Sequence, residues 1–313
     1  MGAGILAYAV AALSGLLMPM QAAVNSRLRG WTGLPLVAPL LSFSVSRAML
    51  LILMTAVGAP MGVDLLAGLP WWMFLGGVCG VTVLTGNILM ITRLGAVLIV
   101  VLPAAGQIAM GLIIDAFGLF EATQINLTFA RAAGAILAAA GVVLASMYKS
   151  EASSGKAKAS GGASLWLWRA FAVLAGALGS MQTAVNGRLG TVVGSPVSAA
   201  VVSFTVGFVL LAIISLCSVA VLRARHIPIR HEKGVWWMWL GGPMGATMVL
   251  LNAALAPIIG TGSVAVLFLA GSAVAGAIID QAGLFGAEKR PLGAMRIAGL
   301  IMLIAGAALV RLS

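Results

Sequence analysis

Long apolar segments separated by short polar turns dominate the pattern of this 313-residue chain. Runs at about 3–25, 36–58, 71–92, 96–119 and 127–148 are each long enough to cross a bilayer core of roughly 30 Å as a helix. A second set follows at about 165–186, 197–222, 235–259, 263–284 and 292–312. Polar residues inside these runs are few, and they recur. Met20-Gln21-Ala22-Ala23-Val24-Asn25-Ser26-Arg27-Leu28 returns as Met181-Gln182-Thr183-Ala184-Val185-Asn186-Gly187-Arg188-Leu189. Gly33-x-Pro35 and Ser42-Phe43 return as Gly194-x-Pro196 and Ser203-Phe204. Farther along, Gly76, Gly80, Asn87, Asp115, Arg131, Gly134 and Gly141 return as Gly241, Gly245, Asn252, Asp280, Arg296, Gly299 and Gly306. A repeat of this length defines two structural halves.

The pattern predicts an all-α integral membrane protein of ten transmembrane helices, with five-helix repeats at 1–148 and 165–313. They are joined by a flexible connector at 149–164 that is rich in Ser, Gly, Ala and Lys. An odd number of spans per repeat means that the second copy enters the membrane from the opposite face, so the halves are inverted relative to each other.

Composition fixes the solvent: 62% of residues are hydrophobic and 8% charged, too little charge to cover a soluble domain. Forty glycines spread through the apolar runs suit helices that approach closely within lipid. The net charge of +11 is distributed unevenly. Turns after alternate spans carry Arg27, Arg29, Arg93, Lys149, Lys156, Lys158, Arg223, Arg225, Arg230, Lys233, Lys289 and Arg290, whereas the other face holds Arg131, Arg188 and Arg311 beside Asp64, Asp115 and Glu121. The positive-inside rule puts the first set in the cytoplasm and both termini on the extracytoplasmic side of a cytoplasmic (inner) membrane. No basic run is interleaved with aromatic platforms, which argues against a nucleic-acid partner. The first apolar segment is too long for a cleavable signal peptide and lacks a basic flank.

Gln21 and Asn25, like Gln182 and Asn186, stand four residues apart and share a helical face. Amides in lipid need partners, so these faces turn toward protein or water. They either clamp helices together or line and gate a solute path as two opposed gates. Asn87 and Asn252 repeat the logic with one amide each. Arg47 lies near the middle of span 2 with Ser42, Ser44 and Ser46, whereas its counterpart is Phe208. An arginine there costs at least roughly 2.5 kcal/mol on insertion scales and marks a cavity, a partner or a substrate, unless it snorkels to a helix end. Gln107 is central to span 4 and is matched by Ser272. Arg47, Gln107, the amide pairs, Asn87, Asn252, Ser42 and Ser203 form the expected cavity lining.

Asp115 with Arg131, and Asp280 with Arg296, end and begin consecutive spans. They pin each hairpin as an ion pair or, if a carboxylate changes charge, couple a proton or ion to movement. Gly76-x-x-x-Gly80 and Gly241-x-x-x-Gly245 read as helix contacts. Pro19, Pro39, Pro103, Pro243 and Pro257 are candidate kinks. Trp71, Trp72, Trp236, Trp237 and Trp239 read as interfacial anchors. Cys79 and Cys217 read as small buried apolar side chains. His226 and His231 occur only in the basic loop, no Ser/His/Asp set or metal cluster converges, and no nucleotide motif occurs. Neither an enzyme, a metal site nor a cofactor is expected.

The Gln-x-x-x-Asn-x-Arg-Leu segments, the Gly-x-Pro and Ser-Phe pairs, Gly106-Gln107, Ile114-Asp115-x-x-Gly118 and Arg131-x-x-Gly134 resemble the YdcZ-type family of the drug/metabolite transporter superfamily, in its fused two-copy form. The resemblance covers nearly the whole chain. It implies the ten-helix EamA-like transporter fold, a central cavity between the halves and alternating access. Small multidrug exporters of the superfamily use a first-helix glutamate, and this chain has no acid in span 1 or 6, so that mechanism does not transfer. The combined expectation is a secondary transporter of a small polar organic metabolite, with Arg47 tilting it toward an anionic or carboxylate-bearing solute. A drug-like or cationic exporter, a channel and a membrane scaffold are the alternatives.

Overall fold

With almost no charge to face water, the chain can satisfy its backbone N–H and C=O groups in lipid only within helices. The computed structural model describes residues 2–34, 36–60, 66–151, 163–224, 231–286, 289 and 292–312. Most of the connector, and Pro35, Asp64, Lys156, Lys158, Arg225, His226, Arg230 and Arg290, lie outside the described residues. The described helices are α1 (Gly2–Thr32), α2 (Val37–Ala56), α3 (Leu75–Phe117), α4 (Phe129–Glu151), α5 (Ala163–Val192), α6 (Pro196–Ala224), α7 (Gly241–Ile259), α8 (Thr261–Ala282) and α9 (Ala294–Leu312). Among the described residues seven segments are long and apolar enough to cross a membrane: Ile5–Thr32, Val37–Ala56, Leu98–Phe117, Phe129–Met147, Pro196–Ala220, Trp236–Ile259 and Thr261–Ala282. Ala294–Val310 is a shorter apolar helix.

Spans 3 and 4 differ from expectation, because helical backbone continues from Leu75 to Phe117 without an intervening loop. A straight helix would hold Gly80 and Gln107 about 40 Å apart. Both instead meet neighbouring residues of α5: a methyl group at Gly80 would come within 2.7 Å of Gln182 Nε2, and the carbonyl of Gln107 accepts a bond from Ser180 Oγ at 2.6 Å. The two arms of α3 therefore double back along α5. In the other half the same reversal falls at Gly260, whose φ of 84° separates α7 from α8.

Reciprocal contacts join the halves. A side chain at Gly15 of α1 would overlap the carbonyl of Phe268, and one at Gly271 that of Ala12. The equivalent positions repeat this on the other side, with Gly176 against the Pro103 carbonyl and Gly106 against that of Val173. Helices α4 and α9 pack with Gly134 on Gly306 and Gly141 on Gly299, so they run antiparallel. Ala138 and Leu303 are fully buried in the core that this pair forms with Ala104, Val266 and Ala270. Across α2 and α6, Phe43 meets Phe204 with ring centroids 4.8 Å apart, while Ser215 Oγ near the end of α6 donates to the Leu36 carbonyl before α2.

Turn chemistry also repeats. Gly118 and Gly283 cap α3 and α8 in the left-handed region, with N–H groups donating to Ile114 and Ile279. Two residues on, Phe120 and Phe285 hold φ of 59° and 56°, a left-handed backbone that costs a β-carbon-bearing residue roughly 1–2 kcal/mol. Each ring packs on a tryptophan, Phe120 on Trp72 at 5.9 Å and Phe285 on Trp237 at 6.1 Å, which offsets that strain.

Three expectations change. Pro39 and Pro243 occupy the first turns of α2 and α7, where no intrahelical N–H bond is lost, so only Pro19, Pro103 and Pro257 lie within helices as potential kinks. Cys79 is buried, but Cys217 is on the exposed face of α6. Arg27 and Arg29 are not in a loop: α1 extends through both to Thr32.

Candidate functional site

A cavity of about 350 Å³ lies between the halves. Much of its lining comes from matched positions: Gln21 with Gln182, Ser42 with Ser203, Phe43 with Phe204, Gly80 with Gly245, Val83 with Met248 and Leu84 with Val249. Its remaining lining comes from the first half alone, with Met18, Ala22, Asn25, Ser26 and Arg29 on α1, Ala38, Pro39 and Ser46 on α2, and Asn87 on α3. The counterparts of Asn25, Ser26, Arg29 and Asn87, which are Asn186, Gly187, Gly190 and Asn252, do not line it. The cavity thus begins where the halves meet and extends toward one end of the bundle only. At the opposite end a small cavity of about 80 Å³ is crossed by Arg188, whose Nε and Nη2 donate to Glu121 Oε2 at 2.9 and 2.6 Å.

Each amide pair of one half sits on a Gly-x-x-x-Gly face of the other. Side chains at Gly241 and Gly245 would overlap Asn25 Oδ1 and Gln21 Nε2, and side chains at Gly76 and Gly80 would overlap Asn186 Oδ1 and Gln182 Nε2. Those glycines are therefore sockets for polar side chains rather than generic helix-contact points. The oxygens of Asn25 and Asn186 are buried without a hydrogen-bond partner among the described residues. They face glycine α-carbons, where a weak Cα–H···O contact replaces a conventional donor.

Equivalent residues differ in state. Asn186 Nδ2 donates to Ser203 Oγ at 3.2 Å, and Asn186 is 1% exposed. Asn25 and Ser42 make no hydrogen bond with each other in the structure, and both line the cavity. Asn252 accepts a bond from Ser14 Oγ at 2.9 Å and is buried, while Asn87 faces the cavity.

Of the expected lining residues, the cavity takes Gln21, Asn25, Ser42, Asn87, Gln182 and Ser203 and leaves Arg47, Gln107, Asn186 and Asn252 outside. Arg47 Nε donates to Thr205 Oγ1 at 3.1 Å, and its guanidinium lies over the Phe208 ring. Gln107 contributes its main-chain carbonyl to Ser180. The charged residue on the wall is Arg29, for which the sequence offered no signal beyond its place among the basic turn residues. Among the described residues no carboxylate lines the cavity.

The ion pairs stand apart from it. Asp115 Oδ2 receives Arg131 Nη2 at 2.7 Å, both side chains being at most 2% exposed. The same carboxylate accepts the backbone N–H groups of Thr261 at 2.7 Å and Gly262 at 3.0 Å, so it caps the first turn of α8 in the other half. Asp280 Oδ2 meets Arg296 Nη2 at 2.7 Å, with the Asp280 side chain 20% exposed. Among the described residues no cluster of three or more His, Cys, Asp or Glu could hold a metal ion.

A fold of this kind is known elsewhere. A solved structure titled "Crystal structure of protein" matches with a TM-score of 0.67 and 18% identity, over 100% of this chain and 97% of that one. No curated protein matches. The family model described as "Putative inner membrane exporter, YdcZ" matches twice, over residues 6–144 and 167–309. With both halves matched in succession, the chain belongs to the YdcZ family of the drug/metabolite transporter superfamily, as a multi-pass inner-membrane transporter.

Proposed function

We propose that the chain is a secondary active transporter that moves a small organic solute by alternating access, with ten spans arranged as two inverted halves. The antiparallel packing of α4 on α9 and the reciprocal glycine contacts of α1 with α8 and of α5 with α3 support the inverted arrangement. The family description, an exporter, supports outward movement. The basic end of the bundle carries Arg27, Arg29, Arg93, Lys233 and Lys289, which by the positive-inside rule is the cytoplasmic end. The cavity opens toward that end, so this is a cytoplasm-open state with both termini outside.

One observation carries the reading: Asn186 is buried and bonded to Ser203, while the equivalent Asn25 lines the cavity and makes no hydrogen bond with Ser42. If the halves exchange states, closing the cytoplasmic side forms the second bond as the first breaks. A buried hydrogen bond contributes only about 1 kcal/mol net, so near-equivalent pairs at both ends leave two states close in energy.

Cysteine pairs test this in vesicles, with Cys79 and Cys217 replaced by alanine. Asn186→Cys/Ser203→Cys should cross-link readily. Asn25→Cys/Ser42→Cys should cross-link in a smaller fraction, and that fraction should lose the labelling of a third cysteine at Ser26 by an impermeant maleimide from the cytoplasmic side. A cytoplasmic pair that never cross-links, or a Ser26→Cys labelled from the outside, would overturn the reading.

A further inference from the structure

The chemistry of the cavity wall selects among solutes, and the selection rests on the transport reading given above. Arg29 is the charged residue of the wall, and its guanidinium has no ion-pair or hydrogen-bond partner among the described residues. Arg27, two residues away on a different face of α1 and outside the cavity, is met by Glu232 at 3.9 Å. Glu232 is seated beside Gly30, and it does not line the cavity. The wall also carries an apolar patch: Phe43 and Phe204, with ring centroids 4.8 Å apart, together with Met18, Met248 and Leu84. Gln21, Gln182, Asn25 and Asn87 supply amide groups. The cavity thus combines one cationic group, an aromatic and aliphatic patch, and neutral hydrogen-bonding amides.

We infer that it takes an amphipathic organic monoanion, a carboxylate carried on an aromatic or aliphatic body, with the carboxylate on Arg29 and the body against Phe43 and Phe204. A guanidinium holds a carboxylate with two parallel, charge-assisted hydrogen bonds. An organic cation in the same space meets Arg29 with no acid among the described residues of the wall to offset the repulsion. A volume near 350 Å³ lies at the lower end of the range for small-molecule sites, which suits a single-ring solute. The position equivalent to Arg29 in the other half is Gly190, so an anion meets this charge only while the cavity faces the Arg29 end. Anion affinity is therefore higher in that state than when the cavity faces the opposite side.

Phenylacetate, phenylacetamide and phenethylamine share one apolar body and differ in charge, which makes them a matched probe set. Each is titrated against the purified full-length protein while its melting temperature is followed, since a ligand that favours the folded state raises it. Phenylacetate should give the largest shift, phenylacetamide a smaller one and phenethylamine the least. Arg29→Gln should weaken phenylacetate by about tenfold, the loss of one charge-assisted contact, and leave phenylacetamide unchanged. Arg29→Lys should retain most of the binding, and Arg93→Gln, a cation away from the cavity, should change nothing. Equal shifts for the three probes, a larger shift from the amine, no shift from any, or an Arg29→Gln protein that binds phenylacetate normally would each overturn the inference. Phenylacetate binding without counterflow in proteoliposomes would remove the transport reading and leave the ligand class standing. Counterflow of phenethylamine in preference to phenylacetate would do the reverse.

Discussion

The guanidinium of Arg47 lies over the ring of Phe208, 5.6 Å from its centroid, and the two residues hold the same position in their respective halves. The partner of this arginine within the membrane is therefore its own repeat counterpart. With Thr205 Oγ1 accepting from Nε, the side chain is engaged with α6 rather than pointing into the cavity. Phe43 on Phe204, one turn earlier, is a second contact between matched positions on the same two helices.

Arg47→Ala should consequently act on stability. A desolvated cation–π contact and a side-chain hydrogen bond together amount to about 2–3 kcal/mol. Thermal unfolding of the purified variant should show that loss, while ligand affinity per folded molecule stays within about twofold. A stable Arg47→Ala protein with abolished binding would return this residue to the site.

The amide sockets predict coupled substitutions. Gly76→Ala places a methyl group where Asn186 Oδ1 lies and should destabilise by about 1–3 kcal/mol, as overpacking does. Asn186→Ala combined with Gly76→Ala should recover part of that cost. A double-mutant cycle on melting temperatures measures the coupling, and additive effects would show that the glycine and the amide do not share space. The same cycle applies to Gly241 with Asn25.

The two ion pairs should respond unequally. Asp115→Asn leaves Arg131, 2% exposed, without its counter-charge and weakens the cap on α8, so a loss of about 3–5 kcal/mol or failure to accumulate folded protein is expected. Asp280→Asn, where the carboxylate is partly exposed, should cost less than half as much. Denaturant or thermal unfolding of the pair decides it, and equal losses would contradict the asymmetry in burial.

Substituting Gly118 isolates a backbone effect. Its φ of 61° disfavours any residue with a β-carbon, whereas a β-carbon there meets only ordinary van der Waals contacts with Ala122 and Gln124. Gly118→Ala should therefore destabilise by about 1 kcal/mol through conformation alone, read as a small drop in melting temperature with unaltered ligand affinity.

Much of the architecture is legible in sequence because it follows from local rules. Apolar run length predicts helices, and the recurrence of Gln-x-x-x-Asn-x-Arg-Leu predicts two equivalent halves. The site is less legible. Arg47 draws attention because an arginine inside an apolar run is costly, yet that cost is met by Thr205 and Phe208, two residues more than 150 positions away. Arg29 is passed over because a basic residue after an apolar run reads as a loop charge, and only the length of α1 carries it onto the cavity wall. Gly76-x-x-x-Gly80 reads as packing for a similar reason: the spacing reveals a smooth face but not the amide that fills it.

By itself the sequence determined the solvent, the helical class, the duplication and the family, since hydropathy, period and recurrence are properties of consecutive residues. Only the tertiary structure decided which of two identical amides is bonded and which faces open space, which arginine meets the cavity, and that Asp115 caps a helix of the other half. Those outcomes depend on contacts between segments far apart in the chain, and near-identical local sequences in the two halves cannot specify which of them lies on the open side.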